Sequence, residues 1–264
     1  MIYCYLKGGL GNMLFQIAAT KSFSIDMKTD CSFPNLTNHL KFLNEDQTYN
    51  PKLNYAFEYE SLLTKLNSTS PTKPLSTYNF PFHYVNPIMK DEIIIDGFFQ
   101  SEKYFKHNRE SILNFLNFEV ISQLVKEKYN NIINNNSTSV HIRRGDYVRL
   151  PSHHPLQTKE YFNSSINLLK NKTDNFVIFS DDIDWCKKNI EIDNCIFIEN
   201  EKDYIELYLM SQCKNNIISN SSFSWWGAWL NNKDDKVVIA PKIWFGQKIT
   251  HKTEDIIPNS WTKL

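Results

Sequence analysis

The sequence lacks a net charge: 29 Lys and Arg balance 29 Asp and Glu in 264 residues. No global field draws it to nucleic acid, so an anion site has to be local. It lacks any apolar run near the ~20 residues that span a bilayer. Its opening, "MIYCYLKGGLGN", has neither the basic region nor the apolar stretch of a signal peptide. It lacks a cysteine framework, because Cys4, Cys31, Cys186, Cys195 and Cys213 form an odd set with no CxxC pair. Free thiols in a reducing cytosol are expected. Asn-x-Ser/Thr triplets, such as Asn35-Leu36-Thr37, are then chance products of an Asn-rich chain. GxGxxG, GxxxxGK[ST], HExxH and GxSxG are all missing. These absences speak against a Rossmann dinucleotide site, a P-loop, a zinc protease and acyl transfer. The expectation is a cytoplasmic protein that binds no nucleic acid, no metal and no cofactor.

What is present is a polar decoration of strand ends. "IYCYLK" runs into "GGLGN" and then into the helical "MLFQIAATKSFSID", a strand, glycine turn and helix. "EIIID" (92–96) reads as a strand and "SEKYFKHNRESILNFL" as a helix; a further helix covers about 119–133. The polar "NNNST" that follows suggests lobes of 1–135 and 136–264. Beyond it, strand and helix alternate with short connections, and Thr158 caps one helix. That pattern argues for an α/β fold with a parallel sheet covered on both faces. Ligands of such sheets sit at the carboxyl ends of the strands.

Three strand ends there carry polar clusters: "HIRRGD", "FSDD" and "ISNSS". Arg143 and Arg144 offer planar forks for phosphate or carboxylate. Ser221 and Ser222 lie at the start of a helix, its positive end. Arginines beside a helix start suggest a bound phosphate or diphosphate, while the plainer alternative pairs them with Asp146 or Asp181. Asp181 and Asp182 in "DDID" admit three readings: a Mg²⁺ or Mn²⁺ site, a helix cap, or a carboxylate facing a nucleobase. The cap and base readings are favoured, since the arginines already supply positive charge. His141 reads as a strand-end residue near the ligand, and His153 and His154 as loop residues. "SWWGAW" (224–229) reads as a buried helix face rather than a stacking box for bases.

Five ordered blocks resemble the α-1,2-fucosyltransferase family, glycosyltransferase family 11. They are "GGLGNMLFQIA", "DGFFQSEKYF", "HIRRGDYV", "FSDDIDWCKKN" and "ISNSSFSWWGAWLN". The resemblance implies a GT-B-like fold, two Rossmann-like lobes with a cleft between them. It implies an inverting, metal-independent transfer of L-fucose from GDP-fucose to the 2-hydroxyl of a terminal β-galactoside. Arg143 would contact the pyrophosphate with Arg144 in support, and His141 with Asp181 or Asp182 would address the guanosine. Ser221, Ser222 and Phe223 would line the phosphate or ribose side, Asn12 would reach the donor, and Gln100 the acceptor. Asp146 is one candidate base; His154 and Asp96 are others. The stretch from about 30 to 90 carries no matching block and is expected to shape the acceptor site. Two alternatives remain: a related transferase with another nucleotide-sugar donor such as GDP-mannose, and a non-catalytic glycan- or nucleotide-binding module.

Overall fold

A computed structural model describes residues 1–45, 60–87, 90–133, 136–190 and 192–264. Part of the 30–90 stretch therefore lies outside the described residues. The chain forms two compact units. Of the described residues, the first unit takes those up to Phe118 together with His251–Pro258, and the second takes Glu119–Thr250 and Asn259–Leu264.

The first unit opens with β1 (Ile2–Cys4) and α1 (Leu10–Asp26), followed by β2 (Cys31–Ser32), α2 (Leu36–Glu45), α3 (Glu60–Leu63), β3 (Thr77–Asn79), β4 (Ile93–Asp96) and α4 (Arg109–Phe115). Its sheet has the order β2-β1-β4-β3, and every pairing is parallel. Helix α1 is buried along most of its length. Phe23, Phe80, Phe99 and Tyr104 cluster nearby with centroids 4.9–6.1 Å apart; Tyr104 meets the other three edge to face, and Phe23 stacks on Phe80. Burying side chains of this size contributes on the order of 2–3 kcal/mol each. The expected helix from Ser101 is broken at its start. Two 3₁₀ turns, Glu102–Tyr104 and Lys106–Asn108, precede α4. Phe105, with φ −147°, separates them because its ring is drawn into the core beside Phe15, 6.0 Å away.

The second unit begins with α5 (Glu119–Ile133). It continues through β5 (Ser137–Ile142), α6 (Lys159–Leu169), β6 (Asn175–Ser180), α7 (Ile183–Asn189), β7 (Cys195–Phe197), α8 (Asp203–Gln212), β8 (Asn215–Ile217), α9 (Ser222–Leu230), β9 (Val238–Ala240) and β10 (Thr262–Lys263). Its sheet runs β10-β9-β8-β5-β6-β7, again parallel throughout. The expected alternation and covered parallel sheet are present. The division between units falls one helix before the 135/136 boundary, because α5 packs on α8 of the second unit through a face that buries Ile121, Val125 and Ile132. Residues 251–258, assigned by sequence to the second lobe, return to the first. There His251 stacks on Phe82 at 4.4 Å and Asp255 pairs with Lys103.

Strand β5 lies in the middle of its sheet and is buried at every position despite the sequence Ser-Thr-Ser-Val-His-Ile. A buried hydroxyl needs a partner, and β8 supplies two. Asn216 Nδ2 donates to Ser139 Oγ at 2.7 Å, and Asn215 Nδ2 to Thr138 Oγ1 at 3.3 Å. The apolar positions Val140 and Ile142 join Phe162, Ile166, Phe176 and Ile178 in one core. Helix α9 buries Trp225, Trp226 and Trp229, which makes "SWWGAW" a packing face. All five cysteines are free. No helix among the described residues is long and apolar enough to cross a membrane.

Candidate active site

Strands β5, β6 and β8 are adjacent and parallel, so their carboxyl ends share one edge. That edge gathers His141, Arg143, Arg144, Asp146, Asp181, Asp182, Ser221, Ser222 and Phe223 in the second unit.

The arginine turn is held by its neighbours' side chains. Ser219 Oγ donates to His141 O at 2.7 Å and accepts from Arg143 N at 3.1 Å, tying the end of β5 to the end of β8. Asp181 Oδ1 accepts from Arg144 N at 2.8 Å. The Arg143 guanidinium is bonded at Nη2 to Asp146 Oδ1. Its Nη1 lies 2.7 Å from Asp181 Oδ2, an ion pair outside hydrogen-bond geometry. Burial opposes the Arg143 charge, but Asp181 and then Asp146 more than restore it, so its pKa lies above the ordinary guanidinium value. Arg144 Nε donates to Asp182 Oδ2 at 2.9 Å, and its guanidinium lies 3.9 Å from the centre of the Trp185 ring. Each arginine therefore rests on one aromatic ring, since Tyr147 lies 5.3 Å from Arg143.

The plainer alternative for the arginines is what the structure holds: both pair with aspartates, and Asp146 holds an arginine fork. Two guanidinium groups meet three carboxylates. Asp182 also caps α7, accepting from Trp185 N at 3.2 Å, so the cap reading of "DDID" applies to its second aspartate. Among the described residues no three His, Cys, Asp or Glu side chains form a group that could hold a metal ion.

His141 is buried beside Phe223, with ring centroids 5.5 Å apart. Burial, reinforced by the Arg143 charge, lowers its pKa to about 3, so the ring is neutral near pH 7. Its Nδ1 has no hydrogen-bond partner. Ser221 occupies the cap position of α9 without a side-chain cap bond, and Ser222 is the helix's first residue. His154 stacks on Tyr147 at 4.7 Å, and burial lowers its pKa.

The remaining expected residues, Asn12, Gln100 and Asp96, lie in the first unit. Asn12 and Gln100 are in direct contact: Gln100 Nε2 donates to Asn12 Oδ1 at 2.7 Å. The glycine loop makes room for this pair. Gly8 has φ +78°, and a Cβ there would stand 2.6 Å from Asn12 Nδ2, so a side chain is excluded on both counts. Asp96 is paired with Lys7.

Sequence reasoning missed Tyr147, Trp185, Ser219 and Asn220. All four stand inside or beside the quoted blocks. Nothing local marks them, because their roles depend on partners 73–78 positions away or on a ring meeting a cation brought beside it by the fold.

The sequence profile described as Glycosyl transferase family 11 matches residues 90–264. The chain is 35% identical to an alpha-1,2-colitosyltransferase of Escherichia coli, over 100% of its own length and 99% of the relative's. It is 28% identical to the O-antigen biosynthesis glycosyltransferase WbnK of Escherichia coli over the full length of both. Among solved structures, the fucosyltransferase NodZ from Bradyrhizobium aligns with a TM-score of 0.54 at 11% identity, covering 86% of this chain and 92% of that one. At that identity the likeness establishes a shared fold.

Proposed function

The chain belongs to glycosyl transferase family 11, and from that premise we propose an inverting, metal-independent α-1,2-fucosyltransferase that moves L-fucose from GDP-fucose to the 2-hydroxyl of a terminal β-galactoside. The observation that carries the reading is the Arg143–Arg144 turn at the end of the central strand, beside the first residues of α9.

When the sugar leaves its nucleotide, negative charge grows on the β-phosphate. Arg143, with Arg144 in support, is placed to stabilise that charge without a proton or a metal on the leaving group. Arg143 is already engaged by two carboxylates of unequal exposure, 27% for the Asp146 side chain and 9% for Asp181. A diphosphate carries more charge than a carboxylate and replaces Asp146, the more exposed of the two, while Asp181 stays. Neutral His141 and the Asp182 carboxylate are read as facing the guanosine, and Ser221, Ser222 and Phe223 as lining the phosphates or ribose. On the first unit, Asn12 and Gln100 are read as one sugar-facing amide pair. The acceptor oxygen attacks the anomeric carbon opposite the leaving phosphate, inverting it. The transition state is cation-like, so a weak base suffices; general-base help is typically worth about 10²–10⁴-fold. Asp146, once displaced from Arg143, is the candidate for that help.

One observation favours a second reading. The relative at 35% identity is named a colitosyltransferase, and colitose is fucose without its 3-hydroxyl. The two readings share the chemistry and differ in the donor sugar. The test is transfer from labelled GDP-fucose, with and without GDP-colitose as competitor, to a panel of terminal β-galactosides, each with and without EDTA. An α-1,2 product that survives EDTA supports the fucosyl reading. Preferred consumption of GDP-colitose moves the assignment to that donor, and loss in EDTA overturns metal independence. GDP binding with no transfer to any acceptor favours a binding module.

A further inference from the structure

We propose that Tyr147, clamped by Asn220, is the positioning residue that sets the plane of the Arg143 guanidinium; the proposal rests on the donor-site reading above. Two carboxylates fix two nitrogens of that guanidinium. They leave its tilt about the line between those nitrogens undetermined. The Tyr147 ring, 5.3 Å from the guanidinium carbon, supplies the missing surface.

Tyr147 can do this because it is fixed at both ends. Its hydroxyl donates to Asn220 O at 3.0 Å. Its ring stacks on His154 at 4.7 Å with 17° between planes, and His154 in turn meets Phe245 at 5.7 Å. Burial raises the phenol's pKa, so the hydroxyl remains a donor. Asn220 is 2% exposed and its whole amide is used. Nδ2 donates to Pro155 O at 3.1 Å and to Trp244 O at 2.9 Å, and Oδ1 accepts from Gln157 Nε2 at 2.9 Å. One asparagine thus joins the arginine turn, the 155–157 loop and the 244 loop. The asparagine of "ISNSS" has a structural task distinct from the anion site proposed for the serines after it. Asp146 sits on the same 3₁₀ turn, Gly145–Val148, so the clamp holds the turn that carries one of Arg143's two partners.

The test compares Tyr147→Leu, which removes the ring, with Tyr147→Phe, which keeps the ring and loses only the hydroxyl. GDP affinity is read by calorimetry, kcat and KM for GDP-fucose by initial rates, and the Arg143 position by crystallography. Since a misplacement of ~1 Å costs about 100-fold, Tyr147→Leu is expected to lower kcat/KM about 10- to 100-fold. Tyr147→Phe should stay within about fivefold, because the ring carries the effect. In an Arg143→Lys background Tyr147→Leu should cost little more, as expected of residues acting through one another. The proposal is overturned if Tyr147→Leu keeps wild-type kcat/KM, or if its cost is undiminished in the Arg143→Lys background. It is also overturned if the crystal structure shows the guanidinium unmoved. A wild type that binds no GDP would defeat the donor reading instead, and the crystallographic comparison would still decide Tyr147.

Discussion

Replacing Gly145 by Ala should damage the site far more than the addition of one methyl group suggests. A Cβ at Gly145 would stand 2.4 Å from Asp181 Oδ2, where 3.4 Å begins ordinary contact, so something has to shift by roughly 1 Å. The obstacle is not a free side-chain end. Asp181 holds Arg144 N at 2.8 Å through its other oxygen and lies 2.7 Å from Arg143 Nη1, and its side chain is only 9% exposed. Rotating it away leaves a mostly buried guanidinium short of a partner, a class of loss worth about 3–5 kcal/mol when complete. Moving the turn instead displaces Arg143. A displacement of ~1 Å costs about 100-fold in rate, or ~2.7 kcal/mol of transition-state stabilisation. Either route predicts that Gly145→Ala weakens GDP binding by at least about tenfold and lowers kcat/KM by about 100-fold. Gly9→Ala is the control, since a Cβ there meets nothing within 4 Å, and it should stay near wild type. Titration calorimetry with GDP, initial-rate assays and thermal melting of the three proteins decide the matter. A Gly145→Ala protein within about threefold of wild type in both GDP affinity and kcat/KM would refute the reasoning.

Two further outcomes are expected. Asp146→Asn removes the carboxylate that competes with a diphosphate for Arg143. GDP affinity should rise by up to about fivefold, the range of partly exposed ion pairs. Transfer should fall if the same group serves as the base, and calorimetry showing weaker GDP binding would remove Asp146 from the competitor role. The second outcome concerns pH. The folded pKa of His141, about 3, lies below its unfolded value of ~6.5. Above pH ~6.5 the ring is neutral in both states and does not oppose folding. As pH falls below that value only the unfolded chain takes up the proton, so stability drops by up to ~1.4 kcal/mol per pH unit toward pH 3. Urea unfolding of wild type and His141→Gln between pH 6.5 and 4.5 should show a steeper loss for wild type, and parallel slopes would refute the assignment.

Much of the site was legible because its residues fall at strand ends, where a change from apolar to polar residues marks both the element and its edge. "IYCYLK", "EIIID", "NFVIFS" and "KVVIA" each contain the strand expected of them, and Thr158 accepts from Tyr161 N at 3.2 Å as the cap of α6. The polar strand β5 was legible too, from its position before "RRGD". Local pattern could not say that Asn215 and Asn216 would satisfy its hydroxyls. Nor could it choose Asp182 as the cap and Asp181 as the Arg143 partner, since two adjacent carboxylates look alike until a backbone direction separates them. Helix α5 was recognised as a helix but given to the wrong neighbour: its apolar stripe identifies a buried face without naming what buries it.

By itself, the sequence determined the family, the parallel α/β class and the set of charged residues at the strand ends. The class and the charged strand ends follow from short-range order, with period and punctuation readable within about ten residues, while the family rests on the resemblance of five ordered blocks along the chain. Only the tertiary structure decided the strand order β10-β9-β8-β5-β6-β7, the return of residues 251–258 to the first unit, and the contacts that aim the arginines. Ser219, Asn220 and Asp181 act on the "HIRRGDY" turn from 37–78 positions away. Hydrogen bonds of that reach come into being only when parallel strands lie side by side.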